Sequence, residues 1–417
     1  MIKPNFMDKL LDGVEVEWKA IWEVTNWDKR FNTVSREKQP KVINYPYLLA
    51  ADLFKLEQDE GDVFLLSTGE RTGWTTEELA GEYIREGEVV TIPWGKSRPL
   101  KDVLKYYKGR FVTADNRIAT SSNTDKMLNK FLYYWLLNQS KLIDGFYRGS
   151  GIQHPHMASV LDMEIPIPPL HIQKEIVRIL DAFSELTAEL TAELTAELTA
   201  RKKQYTYYRD KLLTIEEEVE WNSLEDITIK AYSGATPLAK NTEYYNNGSI
   251  PWLRTQEVRF VDIYETNMKI TDIALKKTAV KWVPENCVII AISGATAGRS
   301  AINKIPLTTN QHCLCLEINA KIANYRYVFH WVSSQYEYIK NLGQGARGDL
   351  NAGIIKSLKI PIPPLTKQER IVSILDKFDA LTSSITEGLP CEIELRQKQY
   401  EYYRNLLLSF PKSEVEV

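Results

Sequence analysis

Apolar residues recur at helical spacing in two stretches of the chain. Ile176, Leu180, Phe183, Leu186 and Leu190 make one stripe, and Ile371, Leu375, Phe378 and Leu381 make another; this is the periodicity of an amphipathic helix. The first stripe predicts a helix from about His171 to Leu213, about 65 Å long at 1.5 Å per residue. Ile-Pro-Ile-Pro-Pro precedes both stripes, starting at Ile165 and Ile360, and proline holds itself and its predecessor extended. Thr366 and Glu369 give the second helix a capping-box pattern, where the first has only His171 and Lys174. Gly388, Leu389 and Pro390 interrupt the second helix near its middle. Alone, each helix would expose a long apolar face, so the two are expected to pair antiparallel. The intervening segments alternate short β-rich runs, such as Glu88–Pro93 and Cys287–Ser293, with turn signals at Lys108-Gly109, Asn247-Gly248 and Ser293-Gly294. Helices are expected near Met127–Leu137 and Asn324–Ser334.

The chain repeats itself. IPIPPLHIQKEIVRILDAFSELT at Ile165 matches IPIPPLTKQERIVSILDKFDALT at Ile360, and RKKQYTYYRDKLL at Arg201 matches RQKQYEYYRNLLL at Arg396, both 195 residues apart. A third, partial copy aligns the segment ending at Trp18 with the one ending at Trp221. The order is that of a cycle cut open: domain, helix, domain, helix. The two domains share borders but little interior sequence, which suggests two different targets.

Within the first helix, Thr187–Leu198 reads Thr-Ala-Glu-Leu three times. These are good helix formers and make a plain spacer. Four residues also add ~6 Å and ~400° of turn, while a base-pair step rises ~3.4 Å and turns about 34–36°. If the two domains read DNA, each added unit would therefore move them apart by one or two base pairs and nearly keep their facing. With three units, Gln173 and Gln204 are 31 residues apart, as are Gln368 and Gln399.

The net charge of −3 argues weakly against a nucleic-acid partner, but it hides local excesses. Trp94–Arg148 holds 11 Lys/Arg against 4 Asp/Glu, and Asp226–Lys359 holds 16 against 10, the local basic field that phosphate contact needs. No apolar run approaches the ~20 residues of a membrane span. The N-terminus lacks a signal-peptide core, so a cytoplasmic location is expected. Four cysteines without a CxxC pair imply no disulfide framework. Catalytic motifs are missing. Gly95-Lys96-Ser97 has Val90 where a phosphate-binding loop needs glycine, and no adenine-methyltransferase, zincin or nucleophile-elbow motif is present. Neither His154 with His156 nor His312 with Cys313 and Cys315 has the neighbours of a metal site, so no metal is expected.

The duplicated IPIPPL segments and the Thr-Ala-Glu-Leu units resemble the specificity subunit of type I restriction–modification systems over essentially the whole chain. GATPLAKNTEYYNNGSIPWLRTQEV from Gly234, CVIIAISGATAGRSAI from Cys287 and TTNQHCLCLEI from Thr308 are similar to that family, as are YYKGRFVTADNRIA from Tyr106 and YRGSGIQHPHM from Tyr147. The first domain lacks Ile-Pro-Trp-Leu-Arg and carries Ile92-Pro93-Trp94-Gly95 elsewhere. The resemblance implies an α+β chain, with two mixed α/β target-recognition domains separated by two long antiparallel helices in pseudo-twofold arrangement. The expected divisions are a first recognition domain at 1–165, a spacer helix at 166–215, a second domain at 216–360, and a second helix and tail at 361–417. The resemblance further implies that each domain reads half of a split, asymmetric site in double-stranded DNA. The helices would bind two methyltransferase subunits and recruit restriction (motor) subunits. S-adenosylmethionine, ATP and magnesium would then belong to those partners, with no cofactor and no catalysis on this chain. A fused methyltransferase and a purely structural coiled-coil scaffold are the rival readings, opposed by the missing motifs and by the two different basic domains.

Arg and Lys read guanine, and Asn and Gln read adenine, so the basic loop-like stretches supply the candidate contacts. In the first domain they are Lys96, Arg98, Lys105, Lys108, Arg110, Asn116, Arg117, Arg148 and Gln153. In the second they are Arg254, Thr255, Gln256, Arg259, Arg299, Gln311, Gln344 and Arg347. Tyr205, Tyr207, Tyr208 and their repeats Tyr400, Tyr402 and Tyr403 either pack the helices or anchor a subunit.

Overall fold

A computed structural model describes residues 6–215, 219–343, 349–383 and 388–411. The chain forms two compact units: residues 1–190 with 395–417, and residues 191–394. The class is α+β. The first arm is one helix of 44 residues, Leu170–Leu213, and the second consists of two helices, Leu365–Ser383 and Gly388–Leu407. Gly388 has φ +77°, and a Cβ there would lie 2.6 Å from the carbonyl oxygens of Ala380 and Leu381. Only glycine fits that break.

In the first unit a six-stranded sheet runs in the order Thr25–Trp27, Asn116–Ser121, Arg85–Pro93, Lys105–Thr113, Val63–Leu66, Gly73–Thr75. Lys108-Gly109, read as a turn, lies inside the strand Lys105–Thr113, where Gly109 faces Gly87 across the ladder. Gly109 has the positive φ, +138°, that glycine favours, but a long partner strand carries the chain through it. The helix Asn129–Asn138 buries Phe131, Leu132 and Leu136 in a core shared with Val90, Ile92, Ile172, Ile176 and Leu180. Leu407, Leu408 and Phe410 join the same core.

The second unit has a five-stranded sheet (Thr228–Ser233, Cys313–Ile318, Val288–Ala291, Ser300–Asn303, Asp262–Ile263). Its four-stranded sheet runs Met268–Ile270, Ile250–Leu253, Leu307–Thr309, Trp282–Val283. Tyr325–Ser334 is its core helix; Ile371, Leu375 and Leu213 pack where Ile176, Leu180 and Leu407–Phe410 pack in the first unit. Cys287, Cys313 and Cys315 are core residues, and burial pushes the Cys287 and Cys313 thiols up to about 12.

The duplicated segments build the same frame twice. Glu17–Ala20 pairs antiparallel with Glu164–Ile167, and Glu220–Ser223 pairs with Lys359–Ile362, so Trp18 faces Pro166 and Trp221 faces Pro361. Each sheet has only two strands, so the prolines cost no central ladder bond. The helices start at Leu170 and Leu365, directly after Pro-Pro, and proline suits a helix start. Thr366 therefore falls inside the first turn and does not cap it. The glutamine of the repeat ties the start instead. Gln173 is fully buried; its amide donates to the carbonyls of Lys126 and Pro168, both at 2.7 Å, and accepts from Leu128 N at 2.9 Å. Gln368 donates to Ile322 O (3.3 Å) and Pro363 O (2.8 Å), and accepts from Asn324 N (2.8 Å).

Of the predicted apolar stripe, Ile176 and Leu180 are fully buried, while Leu186 is 51% exposed. In the first unit Phe183 stacks on Tyr403 and Ser184 donates to Tyr400. In the second, Phe378 stacks on Tyr208 and also lies against Tyr205.

Candidate nucleic-acid interface

In the second unit, several loops gather at one end of the strands. Leu253 ends one strand and pairs with Thr309, which ends the parallel neighbour. Between Leu253 and Asp262 the chain makes a tight turn over Thr255–Glu257. Thr296, in the turn Gly294–Thr296, donates its hydroxyl to Thr255 O at 2.9 Å and ties the two turns together. Gly234 passes so close to the ladder that a Cβ would lie 1.7 Å from Thr309 O. Glycine therefore brings the loop carrying Thr236 onto Gln311, where the Thr236 hydroxyl donates to the Gln311 amide oxygen at 2.6 Å.

Arg254, Thr255, Gln256, Arg259, Arg299 and Gln311 are thereby placed on these connected loops. Gln256, Arg259 and Gln311 are exposed, while Arg254, Thr255 and Arg299 are half-buried. Both Arg254 Nε and Arg299 Nε are buried without a hydrogen-bond partner. Arg259 Nε donates to Gln256 O at 2.7 Å. Gln344 and Arg347 lie outside the described residues.

In the first unit most of the expected cations have internal partners. Lys96 is buried; its ammonium pairs with Asp144 at 2.7 Å and sits 4.3 Å from the Tyr147 ring centroid. Arg117 is also buried, paired with Asp115 at 2.9 Å and stacked over Trp94 at 4.0 Å. Asn116 is 1% exposed, and its amide holds Leu66 O at 2.9 Å and Ser67 O at 3.3 Å. Lys105 donates to the carbonyls of Ser67 and Gly69, and burial pulls its ammonium down to about 8. Arg110 is shared between Asp62 (2.6 Å) and Glu77 (2.7 Å), and Arg98 pairs with Glu70. Lys96 and Gln153 exchange backbone hydrogen bonds at 3.0 Å, joining the loop after Pro93 to the loop after Arg148. Lys108, whose nearest acid is Glu88 at 3.7 Å, and Arg148 remain exposed. The domain thus spends Lys96, Asn116 and Arg117 on its own architecture and presents Lys108, Arg148 and the joined loops to solvent.

Part-buried polar networks lie at both frames, and they differ. Asp181 accepts from Lys130 (2.8 Å) and Tyr134 (2.6 Å). Its repeat Asp376 meets Arg326 (2.7 Å) and His330 (2.7 Å), and these partners hold the Asp376 carboxyl below its usual range against the opposing effect of desolvation. Tyr205, Tyr208, Tyr400 and Tyr403 are bound into the arms, as above, while Tyr207 and Tyr402 are 60% and 59% exposed. The buried glutamines and these aspartates were not singled out as sites in the sequence. Their signal was identity at a spacing of 195 residues within the repeat.

Among the described residues no group of three or more His, Cys, Asp or Glu could hold a metal ion, and no helix is long and apolar enough to cross a membrane. His154 Nδ1 lies 2.9 Å from Trp94 O and His156 Nδ1 lies 2.9 Å from Ser159 Oγ.

A profile described as the type I restriction modification DNA specificity domain matches residues 15–200 and again 216–395. The chain is 37% identical to the EcoR124I/EcoR124II type I restriction enzyme specificity subunit of Escherichia coli, over 99% of both chains. It is 34% identical to a putative type I restriction enzyme specificity subunit of Haemophilus influenzae, over 97% of this chain and 98% of that one. Its fold is similar to the S subunit of the type I restriction-modification system from M. genitalium (TM-score 0.53, 16% identity, 96% of this chain and 98% of the other). It is also similar to a chain from a structural study of complex assembly in the type I R-M system (TM-score 0.57, 13% identity, 94% and 98% coverage). With the profile matched twice and these relatives matched end to end, the chain belongs to the type I restriction–modification DNA specificity family.

Proposed function

We propose that this chain is the non-catalytic DNA-reading subunit of a type I restriction–modification complex, each unit reading one half of a bipartite asymmetric duplex site. The observation that carries the reading is the frame built twice around unlike loops. The buried glutamine, the paired IPI strand and the arm helix recur, while the loop residues do not. Arg254, Thr255, Gln256, Arg259, Arg299 and Gln311 serve the second half-site; Lys108, Arg148 and Gln153 serve the first. Phosphate contacts from the surrounding lysines supply affinity, and base contacts supply choice. Tyr207 and Tyr402, exposed at equivalent places, are anchors for two methyltransferase subunits, since tyrosine suits interfaces. Those subunits bring S-adenosylmethionine, and restriction subunits bring ATP and magnesium; this chain holds no cofactor of its own.

The Thr-Ala-Glu-Leu units set the half-site gap. Leu190, Leu194 and Leu198 are half-buried, as are Thr187 and Thr191, while the Ala and Glu of the repeat face solvent, so removing one unit turns the helix pattern by only about 40°. Methylation-aware sequencing of cells with and without the chain identifies the site. A variant lacking Thr191–Leu194 should then methylate the same half-sites across a gap shorter by one or two base pairs. An unchanged gap refutes the ruler, and methylation independent of the chain refutes the function.

A further inference from the structure

The turn Arg254–Glu257 carries two side chains held in opposite ways. Glu257 is committed. Its carboxylate is 10% exposed, accepts from the backbone N–H of Arg254 at 3.3 Å and of Asn267 at 2.7 Å, and lies 3.8 Å from Arg254 Nε. Gln256 is exposed on the same turn. With its amide oxygen turned toward the guanidinium, Gln256 accepts from Arg254 Nη1 at 3.2 Å and Nη2 at 3.0 Å. The backbone beneath Arg254 is tied to its neighbours. Strand Ile250–Leu253 is paired on both sides, and the Thr296 hydroxyl pins Thr255 O.

We infer that Arg254 is a guanine-reading fork, that Glu257 is the positioning residue that aims it, and that the Gln256 amide oxygen is an internal stand-in for the guanine edge. This rests on the DNA-reading function proposed above. The chemistry is specific. A guanine presents two acceptors, O6 and N7, to the major groove, and an arginine fork meets both. In the free protein one sp2 oxygen already occupies the two outer nitrogens of that fork. Carboxylate charge beside Nε holds the guanidinium plane without taking those nitrogens. Gln256 hangs on an exposed side chain and can swing away, whereas Glu257 cannot. An adenine offers N7 and an N6 donor, so the fork meets only one acceptor there and the contact with Gln256 competes better. The pair therefore raises the threshold for a wrong base and does not depend on charge alone.

The test uses the full chain and duplexes of the methylated site. Each guanine of the site is replaced in turn by 7-deazaguanine, which removes N7. For the wild-type chain one guanine of the second unit's half-site should respond, with affinity falling roughly 10- to 100-fold. In Arg254→Ala, which removes every donor of the fork, discrimination at that guanine should disappear, while binding to unrelated DNA changes less than about threefold. Glu257→Gln should weaken discrimination at the same position and leave every first-half guanine response intact, with melting temperature recorded to separate this from unfolding. Gln256→Ala should bind the adenine-substituted site several-fold more tightly. Arg254→Ala with undiminished discrimination, or with equal loss on all sequences, overturns the fork. A Glu257→Gln variant that discriminates like wild type overturns the aiming role. Failure of the wild-type chain to prefer the site at all refutes the DNA-reading function itself, a separate result.

Discussion

Replacing Gln173 by alanine tests the joint that fastens the first arm to its domain. The side chain is fully buried and makes three hydrogen bonds, to Lys126 O, Pro168 O and Leu128 N. Alanine leaves Leu128 N–H buried without an acceptor, a cost of about 1–3 kcal/mol, and strips a donor from two carbonyls at about 0.5–1.5 kcal/mol each. Together these come to about 3–5 kcal/mol with partial relaxation, a large part of the ~5–15 kcal/mol that holds a domain. Urea unfolding of the first unit, followed by hydrogen exchange at the Leu128 amide, should show both the lower midpoint and lost protection. Gln173→Glu adds a sign. A carboxylate keeps the acceptor for Leu128 N–H but faces two carbonyls with no donor. It should therefore be at least as destabilising at neutral pH and recover in acid, where protonation restores a donor. A loss below about 1 kcal/mol with Leu128 still protected would refute the joint. Gln368→Ala, which frees Asn324 N–H, should place the same loss in the second unit.

Asp28 is 2% exposed, accepts from Ile118 N at 2.8 Å, and is raised by burial from 3.8 to about 6. The folded chain then binds a proton that the unfolded chain has released, so this group's contribution falls as pH rises from about 4 to about 6 and stays low above. Asp28→Asn should remove that slope and gain about 2 kcal/mol at pH 7 relative to pH 4, read from urea midpoints at both. Tyr207→Ala with Tyr402→Ala should weaken assembly with the methyltransferase subunits at least tenfold and leave melting unchanged, because both rings are exposed; a lowered melting temperature with intact assembly would make them packing residues.

The repeat, the arm helices and the Thr-Ala-Glu-Leu units were legible in the sequence because helical periodicity and duplication are local signals. The helix predicted from His171 to Leu213 is Leu170–Leu213, and the interruption predicted at Gly388–Pro390 falls where one helix, ending at Ser383, gives way to another that starts at Gly388 and includes Leu389 and Pro390. The family also followed from motif order. What only the tertiary structure decided is which polar groups remain free. Lys96 and Lys108 look alike along the chain, yet Lys96 meets Asp144, 48 residues away, at 2.7 Å, and Lys108 stays in solvent. Arg117 and Arg254 are both candidates by composition. Folding sandwiches one between Trp94 and Asp115 and leaves the other at a strand end beside Gln256. Partnerships of this kind depend on sheet register and loop closure between distant segments, and a side chain's availability for DNA is the remainder after those internal contacts are made.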